Sequence, residues 1–377
     1  MNKIIDICTF YPKSKIKAGE GMTHGSFPFY TSSNTLNKYL NSYQIEEDGI
    51  ILGTGGNASI HYCSGRFSAS TDCLVICSKN PDIYNEYLYY YLLNSIHILE
   101  NGFRGAGLKH ISKKYIEDIE INYIPDVNIQ KKIINIINKS KILINKRKEQ
   151  IEVLDELVKS KFIEMFGSPS NNPKQFDVVE FNKIIEYIGD IGSNGANSVI
   201  SANLKMTDTE DYALMVRTTN FTTNDFKNNV KYVSKEVYDF FKKSKIYGGE
   251  LIFNKIGSAG INFVMPNLNR PVSLGLNQIM VRTNNKVNMV YLHNLLNTDY
   301  GIHQINRRVQ GAVTKSITKG AIKEIPIMLP PIELQNQFAD FVKQVDKLKF
   351  EMEKSLKELE DNFNSLMQKA FKGELFN

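Results

Sequence analysis

Two long stretches of the chain carry apolar residues three and four positions apart, which is the spacing of an amphipathic helix. The first stretch carries this stripe at Ile129, Ile133, Ile136, Leu143, Ile151, Leu154, Val158, Phe162 and Met165. The second carries a cleaner stripe at Leu334, Phe338, Phe341, Val345, Leu348, Met352, Leu356, Leu359, Phe363, Leu366 and Ala370. Both stripes have the heptad-like spacing of a coiled-coil seam, so each stretch is predicted to form one long helix.

Prolines and glycines mark the ends of these two helices. Pro125 and the Pro330-Pro331 pair precede them, and Gly167 and Gly373 follow them, which are positions that proline and glycine favour. About 39 residues at about 1.5 Å each give a rod of roughly 58 Å. Because each rod has an apolar seam, we expect the two to pair as an antiparallel coiled coil that holds two globular parts apart. The alternative is that each helix packs on its own domain.

The chain also contains an internal repeat. The stretch that begins GAGLKHISKKYIEDIEINYIPDVNIQ at Gly105 aligns with GAVTKSITKGAIKEIPIMLPPIELQ at Gly311, an offset of 206 that becomes 205 after a one-residue gap. The aligned pairs include Lys109 with Lys315, Ile111 with Ile317, Lys113 with Lys319, Ile119 with Ile325, and Gln130 with Gln335. We therefore interpret the chain as two copies of one sequence.

Before its long helix, each copy is rich in glycine, asparagine and aromatic residues and contains short β-type runs. These runs are residues 49–52 and 73–77 in the first copy, and 250–253 and 278–282 in the second. The predicted fold class is α+β, with two tandem α/β domains, each followed by a long helix. The predicted divisions are a first domain at 1–125, a central spacer helix at 126–167, a second domain at 168–329 and a C-terminal spacer helix at 330–377.

Length, charge and cysteine content exclude several classes of protein. At 377 residues the chain is long enough for two or three domains. The 46 Lys and Arg against 40 Asp and Glu give a formal charge of +6, which is compatible with nucleic acid binding but does not establish it. Four cysteines in so long a chain do not suggest a disulfide framework. With no export signal and no apolar stretch of membrane-spanning length, we expect a cytoplasmic protein without a membrane partner.

Motifs for catalysis are missing from the sequence. The segment Gly53-Thr-Gly-Gly56 lacks the lysine of a phosphate-binding loop. The segment Asn172-Pro173-Lys174-Gln175 fails the Asn/Asp-Pro-Pro-Tyr/Phe pattern of a DNA amino-methyltransferase. His61, Cys63, Cys73 and Cys77 match no zinc-site spacing. We therefore expect no catalytic residue, no metal and no cofactor in this chain.

What remains is a set of glycine-containing loops with polar and basic side chains in both copies. Arg and Lys contact phosphates or guanine, Asn and Gln contact adenine, and glycine lets backbone N–H groups approach a phosphate. An ordinary turn explains any single residue equally well, but the recurrence in both copies favours DNA. The candidate DNA-binding residues are Ser32, Ser33, Asn34, Thr54, Asn57, Arg66, Arg104, Lys109 and His110 in the first copy, and Arg217, Asn220, Lys255, Ser258, Arg307, Arg308, Gln310, Thr314, Lys315 and Ser316 in the second.

Several longer strings are distinctive. They are Gln310-Gly-Ala-Val-Thr-Lys-Ser-Ile317, Pro330-Pro-Ile-Glu-Leu-Gln335, Lys255-Ile-Gly-Ser258, and the helix endings Lys161-Phe-Ile-Glu-Met-Phe166 and Gln368-Lys-Ala-Phe-Lys-Gly-Glu-Leu375. With these strings, essentially the whole chain resembles the specificity subunit of type I DNA restriction-modification systems. The first copy departs from the family pattern at Gly105-Ala-Gly-Leu, where the usual Gln-Gly is absent.

The resemblance implies a non-catalytic subunit of a methyltransferase and endonuclease complex. Each globular domain would be a target-recognition domain that reads one half of a bipartite, asymmetric sequence in double-stranded DNA. The paired helices would set the gap between the halves and dock two methyltransferase (M) subunits, which bind AdoMet. ATP and Mg would belong to two restriction (R) motor subunits, in systems that have them.

Two other interpretations stay open at this point. The chain could be the recognition part of a split, fused restriction-modification enzyme whose catalytic region lies in another chain. It could also be a coiled-coil interaction scaffold that does not bind DNA, in which case the helices would carry the function.

Overall fold

The computed structural model describes residues 2–375 and divides into two compact units. Unit 1 consists of Met1–Gln150 and Met352–Asn377, and unit 2 consists of Ile151–Glu351. Each unit therefore contains one α+β portion and part of each long helix.

Unit 1 is built from short strands and short helices that precede the first long helix. In chain order they are β1 (Asn2–Lys3), α1 (Ile4–Ile7), β2 (Cys8–Phe10), β3 (Phe27–Tyr30), β4 (Tyr39–Leu40), β5 (Gly49–Gly53), β6 (Ile60–Cys63), β7 (Ser68–Ala69), β8 (Cys73–Ser78), α2 (Asn85–Asn94), α3 (Ile96–Glu100), α4 (Lys113–Glu117), β9 (Glu120–Ile121) and α5 (Val127–Phe166). A short 3-10 helix covers Ala18–Glu20.

The main sheet of unit 1 has four antiparallel strands in the order β2-β8-β5-β6. All five residues of β5 are buried, because this strand lies inside the sheet and has apolar neighbours on both faces. Ile50 and Ile76 face each other across β5 and β8 and pack with Leu88 of α2. A smaller sheet has the order β4-β3-β7, and β1 pairs with β9.

Unit 2 repeats this plan with additional elements. In chain order they are β10 (Asp177–Glu180), β11 (Ile185–Asp190), α6 (Asn197–Asn203), β12 (Ala213–Val216), α7 (Thr218–Thr222), β13 (Lys231–Val233), α8 (Lys235–Phe240), β14 (Lys245–Ile246), β15 (Leu251–Asn254), β16 (Asn262–Val264), β17 (Val272–Leu274), β18 (Gln278–Thr283), α9 (Met289–Leu296), α10 (Asp299–Asn306), α11 (Lys319–Lys323), β19 (Pro326–Leu329) and α12 (Ile332–Lys372). Short 3-10 helices cover Phe181–Lys183, Ile191–Asn194 and Lys242–Ser244.

The sheets of unit 2 correspond to those of unit 1. Four antiparallel strands follow the order β11-β18-β15-β16, which is the arrangement of β2-β8-β5-β6, and the pair β10-β19 corresponds to β1-β9. The second sheet, β13-β12-β17-β14, is mixed, because β12 and β17 run parallel. The sequence repeat is therefore a repeat of fold.

In unit 1, the first part of α5 packs against the last part of α12. Ile133 and Ile137 share a buried cluster with Met367 and Ala370. Lys148, later in α5, pairs with Glu360, earlier in α12, at 2.9 Å. Residue numbers that increase along α5 thus face residue numbers that decrease along α12, so the two helices run antiparallel here.

In unit 2, the second part of α5 packs against the first part of α12 in the same antiparallel sense. Phe162 and Phe166 lie in one cluster with Phe338, and their rings lie 5.5 Å from its ring, both in edge-on geometry. Lys349 pairs with Asp155 at 2.6 Å. The predicted fold class, including two helices paired antiparallel, is confirmed.

The predicted seams need two corrections. Leu143 and Leu348 are 54% and 47% exposed, whereas Ile144 is buried. Ile133, Ile137 and Ile144 follow each other at intervals of four and seven, which keep a residue on one helix face, and Leu143 lies about 100° away from Ile144. No helix within residues 2–375 is long and apolar enough to cross a membrane.

Candidate nucleic-acid interface

A short hairpin projects from unit 1 between α3 and α4. Arg104 and His110 exchange two backbone hydrogen bonds of 2.9 Å and so close the loop, which we call hairpin 1 (residues 104–110). Gly105 has a φ of +137°, and a Cβ at this position would lie 2.7 Å from the Leu108 carbonyl oxygen. Only glycine fits this turn without strain.

Unit 2 contains the same loop, which we call hairpin 2 (residues 310–316). Gln310 and Ser316 exchange backbone hydrogen bonds of 2.9 and 2.8 Å. Gly311 has a φ of +102°, and a Cβ there would clash with the Thr314 carbonyl. The two aligned glycines are therefore needed for the same backbone reason.

Each hairpin is attached to its main sheet by the turn that follows the central strand. In unit 1, the Gly56 N–H donates to the Lys109 carbonyl at 2.9 Å, and the Ile111 N–H donates to the Thr54 carbonyl at 3.1 Å. Gly56 has a φ of +83°. The buried strand β5 thus fixes the loop that carries the exposed residues.

The turn of unit 2 makes the same two bonds. The Gly257 N–H donates to the Lys315 carbonyl at 3.0 Å, and the Ile317 N–H donates to the Lys255 carbonyl at 3.0 Å. The φ of Gly257 is +82°, almost that of Gly56. Both units hold a short loop on a rigid sheet in the same way.

The side chains of the two hairpins point largely into solvent. The exposed candidates are Arg104, Lys109 and His110 in hairpin 1, Gln310, Thr314 and Lys315 in hairpin 2, and Arg307 just before it. The Nη1 atom of Arg104 donates to the backbone carbonyls of Asn101 and Phe103 at 2.7 and 3.0 Å. Two apolar residues that were not predicted from the sequence are also highly exposed, Leu108 with an exposed fraction of 77% and Val313 with one of 97%. Each hairpin therefore presents cationic, polar and apolar groups at its tip, the mixture that reads base edges and phosphates.

Several first-copy candidates lie next to hairpin 1. The Ser32 hydroxyl donates to the Asp72 carbonyl at 2.5 Å and accepts the Gly55 N–H at 3.4 Å, so it lies beside the Thr54–Gly56 turn. Ser33 is half-buried, and its carbonyl meets the His61 ring at 2.7 Å. Asn34 and Asn57 are exposed.

Other candidates already have partners within their unit. Arg66 pairs with Glu46 and stacks over Tyr43 at 4.8 Å. It follows the end of β6 that pairs with Gly49, which is the end of the β5-β6 pair away from the Thr54 turn. Arg308 donates to the carbonyls of Gln304 and Glu324 at 2.9 and 2.8 Å. Both guanidinium groups therefore also stabilise their own unit.

The Arg217 loop is held in a similar way. The Arg217 guanidinium donates to the Asn229 carbonyl, and its backbone N–H donates to the Asn220 side chain at 2.9 Å. Asn220 is 2% exposed and also donates to the Asp225 carbonyl at 3.0 Å. Its side-chain amide is thus buried and used to shape the loop.

Lys255 belongs to a charged cluster whose other members were missed from the sequence. Its ammonium lies 2.7 Å from one carboxylate oxygen of Asp190, and the ammonium of Lys319 lies 2.8 Å from the other. Burial on its own raises the pKa of Asp190, but the hydrogen bonds from the two lysines outweigh it and bring the pKa down to about 2. Ser258, on the same turn, is exposed, and its hydroxyl accepts from the Asn254 amide at 3.0 Å.

Within residues 2–375, no group of three or more His, Cys, Asp or Glu side chains is arranged to hold a metal ion. Cys8 and Cys73 are buried, and burial raises the pKa of both thiols.

Comparison with known proteins gives one consistent result. Residues 1–153 and 185–361 match the family model described as type I restriction modification DNA specificity domain. The EcoDI type I restriction enzyme specificity subunit of Escherichia coli is 22% identical, over 96% of this chain and 85% of its own length. The MjaVIII specificity subunit of Methanocaldococcus jannaschii is also 22% identical, over 88% of this chain and 79% of its own.

Solved structures share the fold. The crystal structure of the type I restriction-modification S subunit from M. genitalium superposes with a TM-score of 0.59 at 13% identity, covering 98% of this chain and 95% of that one. A chain from a structural study of complex assembly and conformational transition in a type I system gives the same TM-score at 14% identity, covering 99% and 97%.

Proposed function

The chain belongs to the type I restriction-modification DNA specificity family, and on this basis we propose that it reads an asymmetric, bipartite sequence in double-stranded DNA. Hairpin 1 and its neighbouring loops read one half of the target, and hairpin 2 reads the other. The chain supplies recognition and carries no catalytic residues or cofactor of its own.

One observation carries this proposal: the same backbone scaffold presents different side chains in the two units. Lys109 and Lys315 are equivalent, and both are exposed, as expected for phosphate contacts that position a loop. At the closing pair of the loop, Arg104 stands in hairpin 1 where Gln310 stands in hairpin 2. Arg104 uses Nη1 for two backbone carbonyls, so the donors it would offer to a base are those on Nε and Nη2. Arginine favours guanine and glutamine favours adenine in the major groove. An asymmetric target has two different half-sites, and it requires different base-contacting side chains on the two equivalent loops.

Partners follow from the same proposal. A repeated fold offers two equivalent surfaces, so two methyltransferase (M) subunits dock on one chain, and these subunits bind AdoMet and methylate adenine. Two restriction (R) subunits, which use ATP and Mg, join where the host encodes them. The paired parts of α5 and α12 act as the spacer that sets the gap between half-sites.

The decisive experiment is base-resolved mapping of adenine methylation in the host genome, with and without this gene. We expect one motif, two unlike halves around a fixed gap, to lose methylation on deletion and to regain it when the gene is restored. If every methylated motif survives deletion, the proposal fails. Pull-down of the chain would then test the scaffold interpretation, in which partners bind but no DNA sequence is read.

A further inference from the structure

Asp190 holds two lysines from distant parts of unit 2 at the base of hairpin 2. Its side chain is 5% exposed, while those of Lys255 and Lys319 are 33% and 38% exposed. The Ser193 hydroxyl donates to Asp190 at 3.0 Å and accepts from Lys319 at 3.0 Å. A buried anion therefore orients two cations that still reach solvent.

The two lysines lie on either side of the hairpin in the chain. The carbonyl of Lys255 accepts the N–H of Ile317, directly after the hairpin, and Lys319 begins α11 two residues later. Asp190 ends β11, in the main sheet of the unit. Its carboxylate thus ties the sheet to both segments that support hairpin 2.

Charge explains why such a cluster suits DNA. One carboxylate and two ammonium groups leave a net charge of +1, and two ammonium groups placed against one carboxylate are kept close despite their mutual repulsion. A lysine side chain that is already ordered loses less rotamer entropy when it binds a phosphate. The cluster is therefore a preorganised cation at the edge of the proposed interface.

Unit 1 is different at this place. Lys113, the equivalent of Lys319, has its ammonium 4.9 Å from the centre of the Phe10 ring and pairs with Glu117 at 3.5 Å. Thr54 stands at the turn position of Lys255, since both residues accept the corresponding hairpin N–H. The two-lysine arrangement is thus a feature of unit 2.

We propose that Asp190 is a positioning residue that fixes Lys255 and Lys319 as one two-lysine contact for a DNA backbone phosphate beside hairpin 2. This inference rests on the proposed function, because it assumes that hairpin 2 lies on DNA. Asp190 itself does not touch DNA. It acts through the two lysines.

The test measures binding of the full chain, assembled with the methyltransferase subunits proposed above, to two duplexes over a series of salt concentrations. One duplex carries the mapped target and the other a scrambled sequence. The variants are Asp190→Asn and Asp239→Asn. Asp239 also pairs with two lysines, Lys235 at 3.1 Å and Lys245 at 2.8 Å, but it is 45% exposed and lies outside the hairpin contacts. Both substitutions remove one negative charge.

Asp190→Asn should weaken binding to the target about tenfold and reduce the magnitude of the salt slope by about one to two, because the phosphate contact is lost. Loss of a negative charge alone should instead strengthen binding to DNA, because DNA is a polyanion. Asp239→Asn should therefore bind at least as tightly as the parent. If Asp190→Asn behaves like Asp239→Asn, the inference is wrong, even if the variant is less stable. If the parent complex does not distinguish target from scrambled DNA, the proposed function itself fails.

A second comparison separates positioning from folding. In a chain with Lys255→Met and Lys319→Met, Asp190 is a buried charge without its two cations, so adding Asp190→Asn should recover thermal stability. The salt slope of the triple variant should equal that of the double variant, because Asp190 has no lysine left to position. A further drop in the slope of the triple variant would contradict a role through these lysines.

Discussion

Gln130 and Gln335, which align in the repeat, are both fully buried and make the same pattern of three hydrogen bonds. Gln130 accepts the N–H of Tyr84 at 2.8 Å and donates to the carbonyls of Asp82 and Ile124 at 2.7 and 2.6 Å. The glutamine amide fits here because it offers an acceptor and two donors at one place. It ties the start of α5 to the turn that precedes α2.

Gln335 does the same at the start of α12. It accepts the N–H of Asn288 at 2.9 Å and donates to the carbonyls of Lys286 and Pro330 at 3.3 and 2.7 Å. Replacing Gln335 by Met keeps the volume but leaves buried backbone groups without partners, so we expect a loss of about 2–4 kcal/mol. Urea unfolding of parent and variant measures it. Gln337→Met, an exposed position on the same helix, is the control and should change stability little.

The sequence predicted the parts of the fold that depend on local pattern and on the repeat. Both long helices and the four β-type runs were predicted correctly because each pattern is set by residues only a few positions apart in the sequence. The choice between Leu143 and Ile144 was wrong because two adjacent apolar residues fit a three-and-four spacing equally well. Only the facing helix decides which of them is buried.

The candidate site was harder to predict, because residue type does not reveal a side chain's partner. Arg66 and Arg308 look like DNA contacts in the sequence, yet both are held by groups of their own unit. Asp190 and Lys319 were missed because they lie 129 residues apart, and nothing local links them. Their contact depends on strand pairing in the main sheet of unit 2.

The low pKa of Asp190 makes part of the stability of unit 2 depend on pH. A pKa of about 2 in the folded chain, against an ordinary 3.8, corresponds to about 2 kcal/mol of stability at neutral pH. Because the folded pKa is depressed, this contribution is complete above about pH 5 and is lost as pH falls toward 2. Asp190→Asn should therefore be less stable than the parent by about 2 kcal/mol at pH 6.

The stability difference between parent and Asp190→Asn should shrink steadily between pH 5 and pH 2. Urea unfolding midpoints at several pH values measure it. A difference that stays constant over this range would show that the carboxylate gains nothing from its two lysines in the folded state.

The hairpin glycines allow a test within a single loop. Gly105→Ala places a methyl group against the Leu108 carbonyl at a φ of +137°, whereas the same change at Gly107 meets no atom within 4 Å. We expect Gly105→Ala to lower affinity for the target by about tenfold or more, because the loop that reads one half-site is displaced. Gly107→Ala should retain most of the parent's affinity. Equal effects of the two substitutions would mean that DNA binding does not depend on the conformation of this loop.

Hairpin 2 separates base reading from phosphate contact. Gln310→Ala should relax one base position in the second half-site and leave the first half-site unchanged. Lys315→Ala should weaken binding to all sequences and reduce the salt slope by about one. Selection from a random duplex library measures the first effect, and a salt titration measures the second. Lys286→Ala, an exposed lysine on the turn held by Gln335, is the charge-matched control. If both hairpin variants behave like this control, the DNA face lies elsewhere.

The proposed spacer role of the paired helices can be tested by adding one heptad to each. The Asp155–Lys349 ion pair marks facing positions in unit 2, so seven residues inserted after Leu154 and seven after Lys349 keep this pair and both seams in register. The added length is about 10 Å, which corresponds to about three base pairs of duplex at 3.4 Å each. Methylation mapping should then show the same two half-sites with a gap longer by about three base pairs. A single insertion in α5 alone is the control, and it should abolish methylation because the seams no longer match. A longer pair of helices with an unchanged gap would show that the separation of the half-sites is set by something other than the helices.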